Sequence, residues 1–243
     1  SYLILPQLIK SLNNQTSKLW RLIFVDGKSC KIHKEYLENL TKKNSNISIV
    51  EEIYDNPGIY GAMTTGLKYR KSNEWVLFWG SDDIAFNKYT IEDLINIINN
   101  QKFNNLDLIF NDATYIDKFG NKKRGSSFKI INNNLKLSFF LGFSPPHQGC
   151  LFSPNIFKIK NFYSLDYYLA ADLDYFLSIS HFKDISAIYH ERKIVKMSKG
   201  GASGRMIFKR LKEVILVYKK FFGILFFIPF FLRYIIRVSQ CIF

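Results

Sequence analysis

Acidic side chains follow two apolar runs of this sequence, and they are the first candidates for chemistry. The run WVLFW is followed by a glycine, a serine and the adjacent carboxylates Asp82 and Asp83, and the run LIFV is followed by Asp26. Residues just beyond the carboxyl end of a buried strand emerge into the binding crevice of a sheet. Carboxylates that converge there repel each other unless a cation lies between them, and Mg²⁺ or Mn²⁺ prefers such oxygen ligands. Taken alone, SDD is more often a solvated turn or a helix N-cap.

The elements that must position these carboxylates alternate between strands and helices. Short β-prone apolar runs predict strands at residues 22–25, 46–51, 75–79 and 107–117, the last followed by FGNKK, which has hairpin turn chemistry. Helical spacing of apolar residues predicts helices over 34–43, over 56–69 and from Thr90, where TIED has the pattern of a capping box. This alternation predicts an α/β fold with a mostly parallel central sheet flanked by helices.

Composition narrows the classes of function. With 243 residues and 47% apolar residues the chain can bury a real core, so a disordered protein is excluded. The balance of 34 Lys and Arg against 20 Asp and Glu gives a net charge of +14, which favours anionic partners such as nucleic acid, phosphorylated molecules or an acidic membrane. Three cysteines without a CxxC pair indicate a reducing compartment, and the first residues lack the pattern of a signal peptide.

Several further motifs occur in a fixed order along the chain. They are QT at 15–16, VDG at 25–27, D-x-x-G-I-Y-x-A-M-x-x-G at 55–66, SDD at 81–83, HQGCLF at 147–152, AADLDYFL at 170–177 and KGGAS at 199–203. As an ordered set they resemble family 2 glycosyltransferases of the GT-A fold, which is Rossmann-like, and in particular short bacterial enzymes that build surface polysaccharides. The resemblance covers about residues 11–204. It implies transfer of a sugar from a nucleotide-diphosphate sugar to a hydroxyl of a glycan or lipid-linked acceptor.

The resemblance also implies roles for four carboxylates. Asp26 is expected to contact the nucleobase and Asp82 the ribose of the donor. Asp83 is expected to be the metal ligand of a DxD-type motif that binds Mn²⁺ or Mg²⁺. Asp172 resembles the catalytic base of an inverting transferase, although Asp172 and Asp174 also suit a helix N-terminus, where the dipole favours carboxylates. Asp26 is followed by Gly27, and this pair is also common in an ordinary turn at the end of a strand.

Four other residues are expected at the same site. Asp55 and Gly58 are expected to shape the donor pocket, because glycine permits a tight backbone path there. Lys199 is expected to lie in a mobile loop that closes over the diphosphate. His147 is either a hydrogen-bond partner of the acceptor or the donor phosphate, or a structural residue.

The chain departs from the family pattern at its beginning. The family's usual first strand has no counterpart in SYLILPQLIK, so we expect that strand to be missing or replaced by the piece YLILP. Lys28 and Gly61 also replace residues that are common in the family. An inactive or truncated homologue is therefore an alternative to an active transferase.

Residues 205–243 form a basic, Phe-rich tail after the transferase domain of residues 1–204. The tail has eight Lys and Arg against the single Glu213. Its longest charge-free stretch, 221–232, has twelve residues and contains Pro229, whereas a spanning helix needs about 20. The pattern predicts an interfacial amphipathic helix or helical hairpin on an anionic membrane. The alternative is a helix that packs on the domain or on a second copy.

Two other classes of protein share some of these features. A nucleic-acid-binding module would explain the positive charge, but the basic residues concentrate in the apolar tail and no known nucleic-acid motif occurs. A nucleotidyltransferase would share metal carboxylates on an α/β sheet, but it normally has a Gly-rich basic loop near its first strand. We therefore expect a cytoplasmic enzyme, peripheral on the inner face of the cytoplasmic membrane, without a nucleic-acid partner.

Overall fold

The computed structural model of the protein describes residues 4–54, 58–100, 105–117, 122–126, 128–182, 184–198 and 206–242. The helices are α1 (Leu5–Asn13), α2 (Lys31–Lys43), α3 (Gly58–Leu67), α4 (Thr90–Ile98), α5 (Leu135–Phe140), α6 (Ile156–Ile159), α7 (Ala171–Ile179), α8 (Ile207–Phe222) and α9 (Phe227–Ile242). The strands are β1 (Leu22–Asp26), β2 (Ile47–Glu51), β3 (Ile84–Ala85), β4 (Leu108–Ile116), β5 (Lys122–Ser126), β6 (Cys150–Phe152) and β7 (Ala187–Ser198).

The strands form two sheets. In the first, β1 and β2 pair in parallel, with Asp26 opposite Glu51 at their carboxyl ends. In the second, the order is β3-β7-β4-β5, and β6 also pairs with β4. The central β4–β7 pair is parallel, whereas the β3–β7, β4–β5 and β4–β6 pairs are antiparallel. The α/β class is confirmed, and the larger sheet is mixed because it contains both parallel and antiparallel pairs. The antiparallel β4–β5 pair agrees with the predicted hairpin, although residues 119–121 of FGNKK lie outside the described residues.

The predicted strand at 75–79 is an extended segment rather than a ladder strand. Only Val76 pairs, through reciprocal backbone hydrogen bonds with Phe152 at 2.9 and 3.0 Å. The side chains of this segment nevertheless pack into all three apolar clusters, with Phe78 in the aromatic core and Trp79 beside Phe24. Burial of large apolar side chains therefore fixes this segment, and it leads directly into SDD.

Two local expectations near the ends of helices are wrong. Tyr89, not Thr90, is the N-cap residue of α4, and the Thr90 hydroxyl instead donates to the Asn87 carbonyl at 3.1 Å. The predicted capping box does not form, because the Thr90 hydroxyl is already hydrogen-bonded within the turn that precedes the helix. The described part of YLILP does not replace a strand, because Leu5 already opens α1, with proline in its first turn.

The largest core cluster is aromatic and lies between β4 and helices α5, α7 and α8. Its fully buried rings contact one another at centroid distances of 4.6–6.0 Å and include Phe110, Phe128, Phe139, Phe152 and Phe176. Close packing of so many rings makes α7 a rigid support. This helix carries the predicted base, Asp172, in its first turn.

The tail is partly a component of this core. Val214, Val217 and Tyr218 of α8 are buried in the same cluster as Phe176. Residues 207–240 contain an 18-residue stretch with a mean hydropathy of 2.0, so by length and composition the region is apolar enough to cross a membrane. However, the region is two α-helices separated by a 3₁₀ turn, which begins at Gly223 with φ 55° and ψ −130°. Because only glycine adopts such a conformation readily, the break is specified by the sequence.

The outward face of the tail is unlike its inward face. The apolar residues Phe227, Phe231, Ile235 and Val238 of α9 are all exposed. Their spacing places them along one side of the helix, and Ile224 of the 3₁₀ turn is 85% exposed. One face of the tail therefore packs in the core, as the alternative prediction has it, and the other face is exposed among the described residues.

Candidate active site

The SDD segment forms a tight turn that fixes both carboxylates. The Gly80 N–H donates to Asp83 Oδ2 at 2.6 Å, and the Asp83 N–H donates to the Gly80 carbonyl at 3.1 Å. A Cβ atom at Gly80 would lie 2.9 Å from Asp82 Oδ1, so a larger residue would push this carboxylate aside. The glycine thus allows both carboxylates to lie close to the backbone of the turn.

Asp83 is buried, with 3% of its surface exposed, whereas Asp82 is half-buried. Burial raises the pKa of Asp83 to about 7; the Gly80 N–H opposes this shift and the charge of Asp82 adds to it. A nearby cation would act in the opposite direction and favour the ionised form. The turn therefore buries a carboxylate, Asp83, whose ionised form needs a nearby cation to be stable.

Asp26 lies at the carboxyl end of β1 and is buried. Its Oδ2 accepts a hydrogen bond from the Ser29 N–H at 3.2 Å, in a turn where Lys28 adopts φ 61°. Phe24 of the same strand shares an apolar cluster with Trp79, which immediately precedes the SDD turn. The strand end and the SDD turn are therefore connected through one packed unit.

Asp172 is half-buried in the first turn of α7, and its carboxylate is oriented by two donors. The Tyr60 hydroxyl donates to Asp172 Oδ1 at 3.0 Å, and the Leu173 N–H donates to the same oxygen at 2.8 Å. Burial raises the pKa of Tyr60 well above its usual value, and the charge of Asp172 adds to this, so the phenol stays protonated as a donor. The second carboxylate oxygen has no hydrogen bond from the described residues.

The helix that carries Asp172 is anchored from the tail. The buried carboxylate of Glu213 on α8 accepts hydrogen bonds from the N–H groups of Leu169, at 2.6 Å, and Ala170, at 3.1 Å. These groups lie at the beginning of α7, where backbone donors otherwise lack partners and where the dipole favours negative charge. Glu213 therefore fixes the start of the helix from which Asp172 projects.

Asp174 has a different environment from Asp172. Its side chain is 0% exposed and pairs with Lys220 at 2.5 Å and with Lys160 at 3.5 Å. A pocket of about 380 Å³ lies beside this ion pair and is lined by both lysines. Because both oxygens of Asp174 are already paired, it joins α7 to α8, and Asp172 is the carboxylate that remains available.

His147 is buried among aromatic rings. Its Nε2 lies 2.8 Å from the Tyr163 hydroxyl, and Phe78 lies 5.4 Å from its ring. Burial lowers the pKa of His147 to about 4, which the charge of Asp172 only partly opposes. Its Nδ1 has no hydrogen-bond partner among the described residues. His147 is therefore neutral at physiological pH and cannot offer a phosphate a positive charge, although one ring nitrogen is free.

The remaining predicted residues lie around this arrangement. Gly58 has φ +68°, and a Cβ atom there would lie 2.6 Å from the Tyr168 ring, so only glycine fits. Asp55 and Lys199 lie outside the described residues. The end of β7 is tied to the SDD turn, because the Ser198 hydroxyl donates to the Asp82 carbonyl at 3.2 Å. The segment that contains Lys199 therefore begins beside Asp82.

The carboxylates of the SDD turn offer a divalent cation only part of a coordination shell. Within the described ranges, no group of three or more His, Cys, Asp or Glu side chains could hold a metal ion. The protein could supply Asp83 and the adjacent Asp82 as hard oxygen ligands, and the remaining ligands would come from a diphosphate and water. This division is typical of Mg²⁺ sites, so the residues fit a cation that arrives with its substrate.

Sequence reasoning missed the contacts that orient the predicted base. Nothing in the sequence around Tyr60 indicates its hydrogen bond to Asp172, which is 112 residues away. Glu213 was noticed only as the one acid of the tail. That isolation among basic residues was the available signal, because a single acid on an apolar helix face usually has a buried partner.

Comparisons with known proteins agree with this geometry. Residues 2–156 match the family model described as Glycosyl transferase family 2. No curated protein matches the sequence significantly. The structure of S. aureus TarS 1-349 in complex with UDP is similar, with a TM-score of 0.64 and 17% identity over 89% of this chain. The chain spans 61% of the length of that TarS chain.

A second similar structure comes from an archaeon. The mannosyltransferase PcManGT from Pyrobaculum calidifontis, in complex with GDP-Man and Mn²⁺, has a TM-score of 0.64 and 12% identity. The match covers 96% of this chain and 66% of that chain. These likenesses establish the fold, and the family model covers more than half of the sequence. The chain therefore belongs to glycosyl transferase family 2 and has the GT-A fold.

Proposed function

We propose that this protein transfers a sugar from a nucleotide-diphosphate sugar to a hydroxyl group of an acceptor, with inversion at the anomeric carbon. The observation that carries the proposal is the half-buried carboxylate of Asp172, oriented by Tyr60 on one oxygen while the other oxygen is available. A fixed carboxylate with a free oxygen is the arrangement that a general base needs. We place the reaction in the synthesis of a polysaccharide or a lipid-linked glycan.

Asp172 removes the proton of the acceptor hydroxyl as the acceptor oxygen bonds to the anomeric carbon. The bond between that carbon and the diphosphate oxygen breaks at the same time, and the nucleoside diphosphate leaves with the electron pair. The proton ends on Asp172 and the new negative charge on the leaving diphosphate. Attack from the side opposite the leaving group inverts the anomeric configuration.

The donor end of the site is formed by the other carboxylates. Asp26 is proposed to bind the nucleobase and Asp82 the ribose hydroxyls, both as hydrogen-bond acceptors. Asp83 would hold Mn²⁺ or Mg²⁺, which when bound offsets the charge on the leaving diphosphate. Lys199, in the segment after Ser198, would bring a second positive charge to the same group.

Three residues are proposed to shape the space between donor and base. Asp55 and Gly58 border the donor pocket, where the glycine allows the close approach of Tyr168. His147 is proposed to hydrogen-bond the acceptor or donor as a neutral group through its free nitrogen. The buried imidazole would position the hydrogen-bonded oxygen of the acceptor or donor without adding a positive charge.

The experiment combines the purified chain with a panel of UDP- and GDP-sugars, Mn²⁺ and candidate acceptors, and measures release of nucleoside diphosphate. We expect turnover with one donor and a loss of roughly 10²–10⁴-fold in Asp172→Asn. Asp184→Asn, at an exposed position, is the matched control and should keep full activity. A fully active Asp172→Asn protein would show that another group is the base.

We further propose that the exposed apolar face of the tail lies on an anionic membrane. Phe231 and Ile235 are 61% and 63% exposed, and the tail is basic. An interfacial helix combines such an apolar face with cations that attract anionic lipids. This placement would bring the active site to lipid-linked acceptors on the inner face of the cytoplasmic membrane.

The membrane proposal needs point variants, because deleting the tail would also remove the buried side chains of α8. The double variant Phe231→Ser/Ile235→Ser should lose most of its sedimentation with phosphatidylglycerol vesicles. Ile32→Ser, at an exposed apolar position on α2, is the control. Equal sedimentation of both variants would contradict the proposal. So would a wild-type dimer that the double variant alone disrupts, because the face would then be a contact between copies.

A further inference from the structure

The inward face of α9 carries a buried arginine whose charge is not compensated. Arg233 is 4% exposed, and its Nε and Nη1 atoms have no hydrogen-bond partner among the described residues. It also forms no ion pair with a described carboxylate. The helix is seated tightly at this point, since a Cβ atom at Gly142 would lie 2.4 Å from the Arg233 backbone nitrogen. Arg233 therefore cannot simply turn toward solvent.

Two phenol groups beside Arg233 are also without partners. The hydroxyls of Tyr218 on α8 and Tyr234 on α9 are buried and have no hydrogen-bond partner among the described residues. Both phenols act electrostatically on Arg233, which places them next to its guanidinium. The Tyr218 hydroxyl lies close enough to the Arg233 guanidinium to favour its charged form, but these three side chains still present more hydrogen-bond donors than the phenol oxygens can accept.

A second arginine adds positive charge at the same place. Arg237 lies one helical turn after Arg233, so the two side chains share a face of α9. The charge of Arg233 lowers the pKa of Arg237, burial adds to this effect, and Arg210 of α8 contributes further repulsion. Arg237 is half-buried, and its guanidinium lies 5.9 Å from the Tyr234 ring. It therefore connects the buried donors with the surface.

This arrangement costs stability unless an anion is present. A buried guanidinium without acceptors loses its hydration, and like charges four residues apart on a helix repel each other. The closest compensating charge is Asp172, which acts on Arg233 but uses its Oδ1 for Tyr60 and Leu173. Folded proteins rarely leave several buried donors unsatisfied at one point. The missing partner is an acceptor with several oxygens.

We propose that Arg233 and Arg237, together with the hydroxyls of Tyr218 and Tyr234, bind a phosphate group of the sugar acceptor. A phosphate offers enough oxygens for both guanidinium groups and both phenols, and arginine is suited to bidentate phosphate contacts. This inference rests on the proposed function, because it assigns the phosphate to the molecule whose hydroxyl Asp172 deprotonates.

The position of the cluster favours the acceptor over two other sources of phosphate. The donor diphosphate belongs at the SDD turn, and no described contact joins Asp82 or Asp83 to Arg233. A membrane headgroup would meet the outward face of α9, where Phe231 and Ile235 lie. Arg233 is instead buried, within the electrostatic reach of Asp172. An acceptor that bears a phosphate would therefore span Arg233 and the base.

The test measures binding of inorganic phosphate to the full chain by calorimetry and by thermal shift. We expect phosphate to raise the melting temperature of the wild type, and Arg233→Gln to bind it about tenfold more weakly or worse. Without phosphate, Arg233→Gln should melt no lower than the wild type, because it removes an uncompensated charge. Tyr234→Phe tests the same site with a smaller change and should weaken binding several-fold.

Three comparisons distinguish this phosphate site from an exposed arginine, from the donor site and from a lipid headgroup site. Arg192→Gln, at an exposed arginine on β7, and Asp83→Asn should bind phosphate like the wild type. Arg233→Gln should still bind the nucleotide donor with Mn²⁺ and still sediment with phosphatidylglycerol vesicles. Loss of vesicle binding in Arg233→Gln would overturn the assignment in favour of a lipid headgroup.

The outcomes also separate this inference from the proposed function. If the donor binds with Mn²⁺ but phosphate binding is absent or independent of Arg233, the acceptor site is wrong and the transferase proposal stands. If Arg233→Gln instead melts well below the wild type and phosphate binding is unchanged, Arg233 is structural. If phosphate binds through Arg233 but no nucleotide diphosphate binds, the anion site stands and the donor assignment fails.

Discussion

Two regions of the molecule carry uncompensated charge of opposite sign. At the SDD turn, Asp82 and Asp83 lie close to a glycine, where a Cβ atom would push the Asp82 carboxylate aside. On the inward face of the tail, Arg233 and Arg237 are held together beside phenols that have no acceptor. Each arrangement is unfavourable alone and becomes favourable with a ligand of the other sign. The SDD turn is therefore suited to a cation, and the arginine cluster of the tail is suited to an anion.

The two regions also differ in how the chain builds them. The carboxylates lie in a turn, where the Gly80 N–H fixes the Asp83 side chain and the local sequence specifies the geometry. Both arginines lie on α9, whose position depends on packing against distant residues such as Gly142. Neighbouring residues therefore set the geometry of the turn, whereas the arginine cluster forms only when distant parts of the chain pack together.

The largest effect on ligand binding at either region should come from Asp83→Asn. The amide oxygen can still accept the Gly80 N–H, so the turn is kept while the charge is lost. Donor affinity in the presence of Mn²⁺ should fall roughly a hundredfold, because a cation loses its charged ligand. Calorimetry with the nucleoside diphosphate measures this. An unchanged affinity with Mn²⁺ would remove Asp83 from the cation site.

Glu213→Gln tests whether the tail positions the base. The variant keeps one acceptor for the Leu169 and Ala170 N–H groups but loses the negative charge at the start of α7. We expect the free energy of unfolding to fall by about 2 kcal/mol. Denaturant unfolding measures it, with Glu38→Gln at an exposed position on α2 as the control. Equal stability of the two variants would mean that the tail does not support α7.

Tyr60→Phe should affect the reaction more than the fold. Removing the hydroxyl leaves Asp172 with the Leu173 N–H alone, so the carboxylate is less well oriented. Turnover should fall about tenfold, while the KM for the donor stays the same, because a hydrogen bond to a charged group contributes roughly that factor. Tyr89→Phe, at an exposed tyrosine, is the control. A changed donor KM with normal turnover would place Tyr60 in the donor site instead.

The smallest effect concerns pH and the buried His147. Its pKa is about 4 in the folded protein and about 6.5 in the unfolded chain. Between these values the unfolded state binds more protons, so stability falls as the pH is lowered below about 6.5, by roughly 1 kcal/mol per pH unit. Unfolding between pH 7 and pH 5 should show a shallower dependence in His147→Gln. Identical slopes would contradict the buried neutral histidine.

Much of this fold could be predicted from the sequence because its signals are local. The strand ending at Asp26, the helix predicted over 56–69 and the antiparallel β4–β5 pair all follow from short patterns of apolar and turn residues. The segment WVLFW was predicted as a strand and is extended, but it pairs only at Val76. Its sequence specifies burial, and burial does not determine which backbone groups will be paired.

The candidate site was predictable only in part. The carboxylates Asp82, Asp83 and Asp172 could be chosen because they stand in recognisable motifs. The contacts of Tyr60 and Glu213 join residues that are far apart in the sequence, so no local pattern announces them. The sequence of the basic tail leaves an interfacial helix and a packed helix open as alternatives, and in the structure one face is packed in the core while the other is exposed. Periodicity reveals an apolar face but cannot tell whether a core or a membrane covers it.

The most direct test of the account is a thermal-shift measurement of the wild type with UDP- and GDP-sugars, with and without Mn²⁺. Ligands that bind only the folded state raise its melting temperature. We predict a rise for one nucleotide-diphosphate sugar that requires Mn²⁺ and is lost in Asp83→Asn but kept in Arg233→Gln. The absence of a metal-dependent shift with every nucleotide-diphosphate sugar would contradict the proposed function.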